Sequence, residues 1–151
     1  MIPHAHDKNQ PDMHGLFRKY AADVRRDRRL DGENIHTLSL NSTLESRDSV
    51  TLDARIEGGV VMELGYRVRS CSLAQATTGI ILARVPGITA LSLKAAQQDL
   101  ELVLRGDFSD EALLNWPELM ILQAAAGMPD RHEVALLPFY VLQQLIALQE
   151  C

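Results

Sequence analysis

The chain has 151 residues, of which 46% are hydrophobic and 23% are charged, a composition typical of one globular domain with a substantial core. Its net charge of −5 disfavours a nucleic acid or an anionic membrane surface as a partner of the chain as a whole. The only two cysteines are Cys71 and Cys151, too few for a disulfide scaffold, and we see no apolar leader segment. These features together predict a protein of the reducing cytoplasm.

The N-terminal part of the chain divides into a tail and a basic helix. Residues 1–14 are polar and contain three histidines, and we interpret them as a flexible tail before a single domain over residues 15–151. The apolar spacing in Gly15–Leu30 predicts a helix. The arginines within Arg25–Arg29 are then predicted to face solvent, either as a simple solvated face or as a surface for an acidic protein partner.

Three strands are predicted next. Ile35–Leu44, Ser49–Glu57 and Val60–Ser70 each alternate in the manner of a strand. The second and third are separated only by Gly58–Gly59, which is a strong signal for a two-residue hairpin turn. Short connections between strands indicate an antiparallel sheet that needs cover on one face.

The rest of the chain has helical spacing and supplies that cover. The predicted helices are Ser72–Val85, Thr89–Arg105, a helix that starts near Ser109 and is broken at Pro117 before ending at Gly127, and Arg131–Gln149. Trp116 is expected in the core of this helical layer. The predicted fold class is therefore α+β, with a three-stranded antiparallel sheet covered by helices on one face.

Cys71 lies where the pattern changes from strand to helix. A residue at such a junction is close to free backbone N–H groups and to the positive end of the helix dipole. That setting favours the form of cysteine that binds metals or attacks sulfur. The alternative is that Cys71 is a small residue packed in the core. No standard catalytic motif, phosphate loop or paired-cysteine motif occurs in the chain.

The order strand, Gly-Gly turn, strand, cysteine, helix and late helix opened by P-x-R resembles the NifU/IscU-type iron–sulfur cluster scaffolds. The resemblance extends over Leu16–Leu148 and is carried by two segments, VRSCSLAQATTGIILARVPG around Cys71 and MPDRHEVALLPFYVL at the last helix. The first resembles the block around the family's middle cysteine, and the second resembles the R-H-x-x-x-L-L-x-F stretch of one branch. The resemblance implies a SufE/NifU-like fold.

The family's cluster site has three cysteines and one aspartate, and this chain matches it only in part. Asp48 matches the aspartate, and Cys71 matches the middle cysteine. The first cysteine is replaced by Ser46, and the third position is occupied by Val134. One thiolate of three therefore remains, whereas a [2Fe–2S] cluster usually has four ligands, most of them thiolates.

The resemblance nevertheless implies that Asp48, Cys71 and the start of the last helix meet at one end of the sheet. With His132, or Glu133 in its place, Asp48 and Cys71 would provide at most three ligands. Such a mixed set suits a zinc or iron ion better than a stable cluster. A transient [2Fe–2S] cluster, a cluster completed across a homodimer, and complete loss of the metal remain alternatives.

Three functions are consistent with this sequence. The first is an iron–sulfur scaffold or carrier with an altered metal site, whose partners are a cysteine desulfurase and acceptor proteins. The second is a cluster-less or zinc-binding relative that binds the desulfurase or accepts sulfur on Cys71. The third is a cysteine-dependent enzyme with His132 as base, which is the least favoured because no motif supplies an orienting group. We therefore expect a protein that is not an enzyme.

Overall fold

A computed structural model describes residues 13–44, 47–107 and 113–149. Its sheet consists of β1 (Ile35–Asn41), β2 (Ser49–Glu57), β3 (Val60–Arg69) and β4 (Ile88–Thr89), in that order, with every neighbouring pair antiparallel. The helices are α1 (Met13–Asp23), α2 (Ser72–Ala83), α3 (Ala90–Arg105) and α4 (His132–Gln149), and 3₁₀ turns occupy Pro117–Gly127 and Pro129–Arg131. Among the described residues, no helix is both long and apolar enough to span a bilayer.

The predicted α+β class is confirmed, but the sheet has four strands where the sequence analysis predicted three. The additional strand, β4, is only two residues long and pairs with Val60 and Val61 of β3. A two-residue segment cannot display an alternating pattern, and Thr89 is at the same time the N-cap of α3. For these reasons the sequence pattern does not predict β4.

The β2–β3 hairpin was predicted correctly. Gly58 and Gly59 have φ angles of 59° and 80°, so both lie in the left-handed region that a two-residue turn of this kind requires. The turn sets the register of β2 against β3. It thereby places the far end of β3, which leads into Cys71, at the opposite end of the hairpin.

The core lies between the sheet and the helices. Val50, Leu52 and Ala54 of β2 are fully buried, and α4 contacts both β1 and β2. Helix α1 crosses α2 so closely that a Cβ atom on Gly79 would lie 2.1 Å from the carbonyl oxygen of Tyr20, which explains the glycine. Trp116 is buried as predicted, with its ring 5.8 Å from that of Phe139.

The prediction of one helix over Gly15–Leu30 was wrong in its second half, because α1 ends at Asp23. Beyond it, Arg28 exchanges two backbone hydrogen bonds with Tyr66, so this segment runs beside β3. The buried carboxylate of Asp53 holds it there by accepting hydrogen bonds from the Arg29 guanidinium and the Leu30 N–H. This long-range interaction overrides local helix propensity. The helix start predicted near Ser109, and most of the predicted tail, lie outside the described residues.

Candidate functional site

Cys71 is the N-cap residue of α2, directly after the last residues of β3. Its backbone is extended, with φ −74° and ψ 175°, and its side chain is half-buried against the edge of the core. The predicted strand-to-helix junction is confirmed. Cys71 is therefore neither a fully buried core residue nor a fully exposed thiol.

Arg131 lies between Cys71 and Asp48. Its Nη2 donates a hydrogen bond to Cys71 Sγ at 2.8 Å, although the two residues are 60 positions apart in sequence. Its Nη1 lies 3.8 Å from Asp48 Oδ2. The hydrogen bond to Cys71 holds the pKa of Arg131 above its usual value, with the Asp48 carboxylate adding to the effect. A guanidinium group thus bridges the two residues that the resemblance assigned as ligands.

Asp48 is fixed by its own neighbours. Ser70 Oγ donates a hydrogen bond to Asp48 Oδ1 at 2.9 Å, and the Asp48 backbone oxygen accepts one from the Ser42 N–H. Only 14% of its side chain is exposed. The carboxylate therefore has an arginine and a hydroxyl group as close partners.

Glu133, in the first turn of α4, binds the loop that leads to Asp48. Its carboxylate accepts hydrogen bonds from Ser42 Oγ at 2.6 Å, from the Thr43 N–H at 2.8 Å and from the Thr43 hydroxyl. The hydrogen bonds from Ser42 and then Thr43 lower the pKa of Glu133. This clamp also explains why β1 ends at Asn41 and not at Leu44 as predicted. The sequence analysis considered Glu133 only as an alternative ligand and missed this role.

His132 is directed elsewhere. Its Nε2 lies 2.9 Å from the backbone carbonyl oxygen of Ala125, at the end of the preceding 3₁₀ turn. Within residues 13–44, 47–107 and 113–149, no group of three or more His, Cys, Asp or Glu side chains is placed to hold a metal ion. The structure thus does not assemble the predicted set of Cys71, Asp48 and His132, and metal binding at Cys71 and Asp48 stays a prediction.

The two positions where the family has further cysteines do not complete a cluster site. Val134 is a hydrocarbon side chain with 1% of its surface exposed, and it belongs to the hydrophobic core. Ser46 lies outside the described residues. With one thiol, one carboxylate and a guanidinium between them, the described donor set does not fit a four-ligand [2Fe–2S] cluster held by a single chain.

Comparisons with known proteins support the fold. The chain is similar to the N-terminal NifU-like domain from Brucella abortus, with a TM-score of 0.77, 22% identity, and coverage of 89% of this chain and 92% of that one. It is also similar to a protein of Fervidobacterium islandicum described as a putative iron–sulfur cluster assembly scaffold for the SUF system. There the TM-score is 0.70, with 19% identity and coverage of 85% and 92%. No family model and no curated protein matches the chain in sequence.

These likenesses show that the chain has the NifU-like fold over most of its length, as the resemblance implied. At about one identical residue in five, they do not by themselves transfer a ligand set or an activity. What the site does chemically must therefore be argued from Cys71, Asp48 and Arg131.

Proposed function

We propose that the protein takes part in iron–sulfur cluster assembly as a sulfur carrier that accepts sulfur on Cys71 from a cysteine desulfurase. The observation that carries this proposal is the hydrogen bond from Arg131 to Cys71 Sγ, which places a guanidinium group beside the sulfur. The likeness in fold to a protein described as a putative iron–sulfur cluster assembly scaffold supports the same cellular process. A reducing cytoplasm is the compartment in which a free Cys71 thiol would persist.

The transfer needs only a thiol–persulfide exchange. The sulfur of Cys71 attacks the terminal sulfur of the persulfide on the desulfurase, a new S–S bond forms on Cys71, and the S–S bond of the donor breaks. The donor cysteine leaves as a thiolate and takes up the proton that Cys71 released. Sulfur is transferred without net oxidation or reduction. A second exchange of the same kind would deliver the atom to an acceptor protein.

The geometry suits this chemistry. The half-buried position of Cys71 leaves part of the residue accessible to a sulfur donor. Arg131 provides a positive charge and N–H groups next to the sulfur, and both stabilise a sulfur anion. One thiol is sufficient to carry one sulfur atom, whereas building a cluster would require ligands that the described residues do not bring together.

A scaffold with an altered metal site is the second candidate, because Asp48 remains next to Cys71 as in the resembled site. Metal analysis of the anaerobically purified protein, repeated after anaerobic reconstitution with iron and sulfide, distinguishes the two functions. Iron and sulfide bound in equal amounts, with visible absorbance, would favour a scaffold, including one that shares a cluster across a homodimer. Zinc alone, or no metal, would favour the carrier. The double variant Ser46→Cys, Val134→Cys is the matched sample in which a degenerated scaffold would regain a cluster.

A further inference from the structure

A group of exposed arginines lies on the side of the sheet that leads to the site. We call Arg25, Arg26, Arg28, Arg67 and Arg69 the arginine patch, and all five are exposed. The first three follow α1, and the last two lie at the end of β3. The Arg28–Tyr66 backbone pairing brings these two parts of the chain side by side.

The patch sits on a fixed backbone. Arg28 and Tyr66 exchange backbone hydrogen bonds of 3.1 and 2.7 Å. The next residue, Arg29, makes two hydrogen bonds of 2.8 and 2.9 Å to the carboxylate of Asp53, whose side chain has no exposed surface. The backbone at Arg28 is therefore held in one arrangement, which reduces the backbone entropy that a partner would have to overcome on binding.

The positive charge of the patch is only partly neutralised. Asp27 binds Arg69 at 2.7 Å and lies 3.8 Å from Arg67, so one carboxylate serves two arginines. In the part of the chain that the structure describes, the side chains of Arg25, Arg26 and Arg28 have no ion-pair or hydrogen-bond partner. A chain of net charge −5 thus concentrates uncompensated positive charge on one surface. An acidic surface on a partner would complement this charge.

We infer that the arginine patch docks an acidic surface of the protein that delivers sulfur to Cys71, an inference that rests on the proposed function. Arg69 precedes Cys71 by two residues, which is about 7 Å along an extended strand. A protein seated on the patch is therefore within reach of the Cys71 sulfur. Complementary charge at this distance increases the rate of encounter and orients the donor.

The test uses a charge-reversed variant of the full chain and a control of equal charge change. Arg25→Glu with Arg28→Glu alters the patch, and Lys94→Glu with Arg105→Glu alters exposed residues of α3 by the same net charge. Titration with a purified cysteine desulfurase at low salt should show at least about tenfold weaker binding for the patch variant, as expected for charged pairs at an interface. The control should bind like the wild type, and added salt should weaken wild-type binding.

Three results would overturn the inference. The first is that the patch variant binds the desulfurase as tightly as the wild type does. The second is that the control loses as much affinity for the desulfurase as the patch variant. The third is that the wild type binds single-stranded RNA and the patch variant does not. Sulfur transfer from a small-molecule persulfide, which needs no docking surface, separates this failure from that of the proposed function. Wild type and patch variant should accept that sulfur equally. If neither protein accepts sulfur from the small-molecule persulfide, the proposed function fails. If both accept it and the patch variant binds the desulfurase as tightly as the wild type does, only the docking surface is wrong.

Discussion

Replacing Arg131 by glutamine should slow the reaction of Cys71 with a neutral alkylating reagent. The change removes the positive charge that lies 2.8 Å from Cys71 Sγ. A hydrogen bond involving a charged group contributes about 1.5–3 kcal/mol when it is shielded from water. The Arg131 side chain is 32% exposed, which places the effect at the lower end of that range. About 1.5 kcal/mol corresponds to roughly a tenfold change in rate as an upper bound. The net change is smaller, about threefold, because an anion stabilised by a cation is also a weaker nucleophile.

The assay is the pseudo-first-order rate of iodoacetamide addition at neutral pH, measured by mass spectrometry in a Cys151→Ser background so that only Cys71 reacts. Arg131→Lys keeps the charge and should retain part of the wild-type rate. Arg105→Gln, which removes an exposed arginine paired with Asp107, should have no effect. A rate for Arg131→Gln equal to or above that of the wild type would refute the argument that Arg131 activates the sulfur.

Two further predictions concern the groups that hold the site in place. Burial alone would raise the pKa of Asp53, but hydrogen bonds from Arg29 and its other partners outweigh burial and lower it. Its stabilising contribution is therefore complete above the unfolded-state pKa of about 4 and is lost as the pH falls through the folded-state pKa. Asp53→Asn should cost about 1–3 kcal/mol at neutral pH, because the Arg29 side chain is 43% exposed and stays hydrated when its partner is lost. It should also flatten the acid side of a plot of melting temperature against pH. A melting curve unchanged from wild type would contradict this. Glu133→Ala should lower the free energy of unfolding by about 1–3 kcal/mol and accelerate hydrogen exchange of the Thr43 N–H. The exposed control Glu57→Ala should leave that exchange unchanged. Equal exchange rates in both variants would show that Glu133 does not clamp the loop.

Most of the fold could be predicted because its signals are local. The Gly58–Gly59 turn and the change from strand to helix period at Cys71 are each contained in a few residues, and both were confirmed. The end of α1 was not predictable in this way. It depends on Asp53, whose burial and pairing with Arg29 join positions 24 residues apart.

The site was predictable only at the level of which segments meet. The resemblance implied that Asp48, Cys71 and the start of α4 converge, and the structure brings Asp48 and Cys71 to Arg131. Sequence could not show that Arg131, and not His132, would face the sulfur. The side chains of neighbouring residues point in different directions where a 3₁₀ turn passes into an α-helix. The contact between His132 Nε2 and the Ala125 carbonyl oxygen is also not part of any sequence motif.

Sulfur loading of Cys71 is the measurement that tests the proposed function most directly. The wild type, Cys71→Ser and Cys151→Ser are each incubated with a cysteine desulfurase and L-cysteine under anaerobic conditions, and their intact masses are recorded before and after reduction. We expect the wild type and Cys151→Ser to gain one sulfur atom that reduction removes, and Cys71→Ser to gain none. The proposal that Cys71 carries sulfur would be contradicted if the wild type gained no mass, or if Cys71→Ser gained the same mass as the wild type.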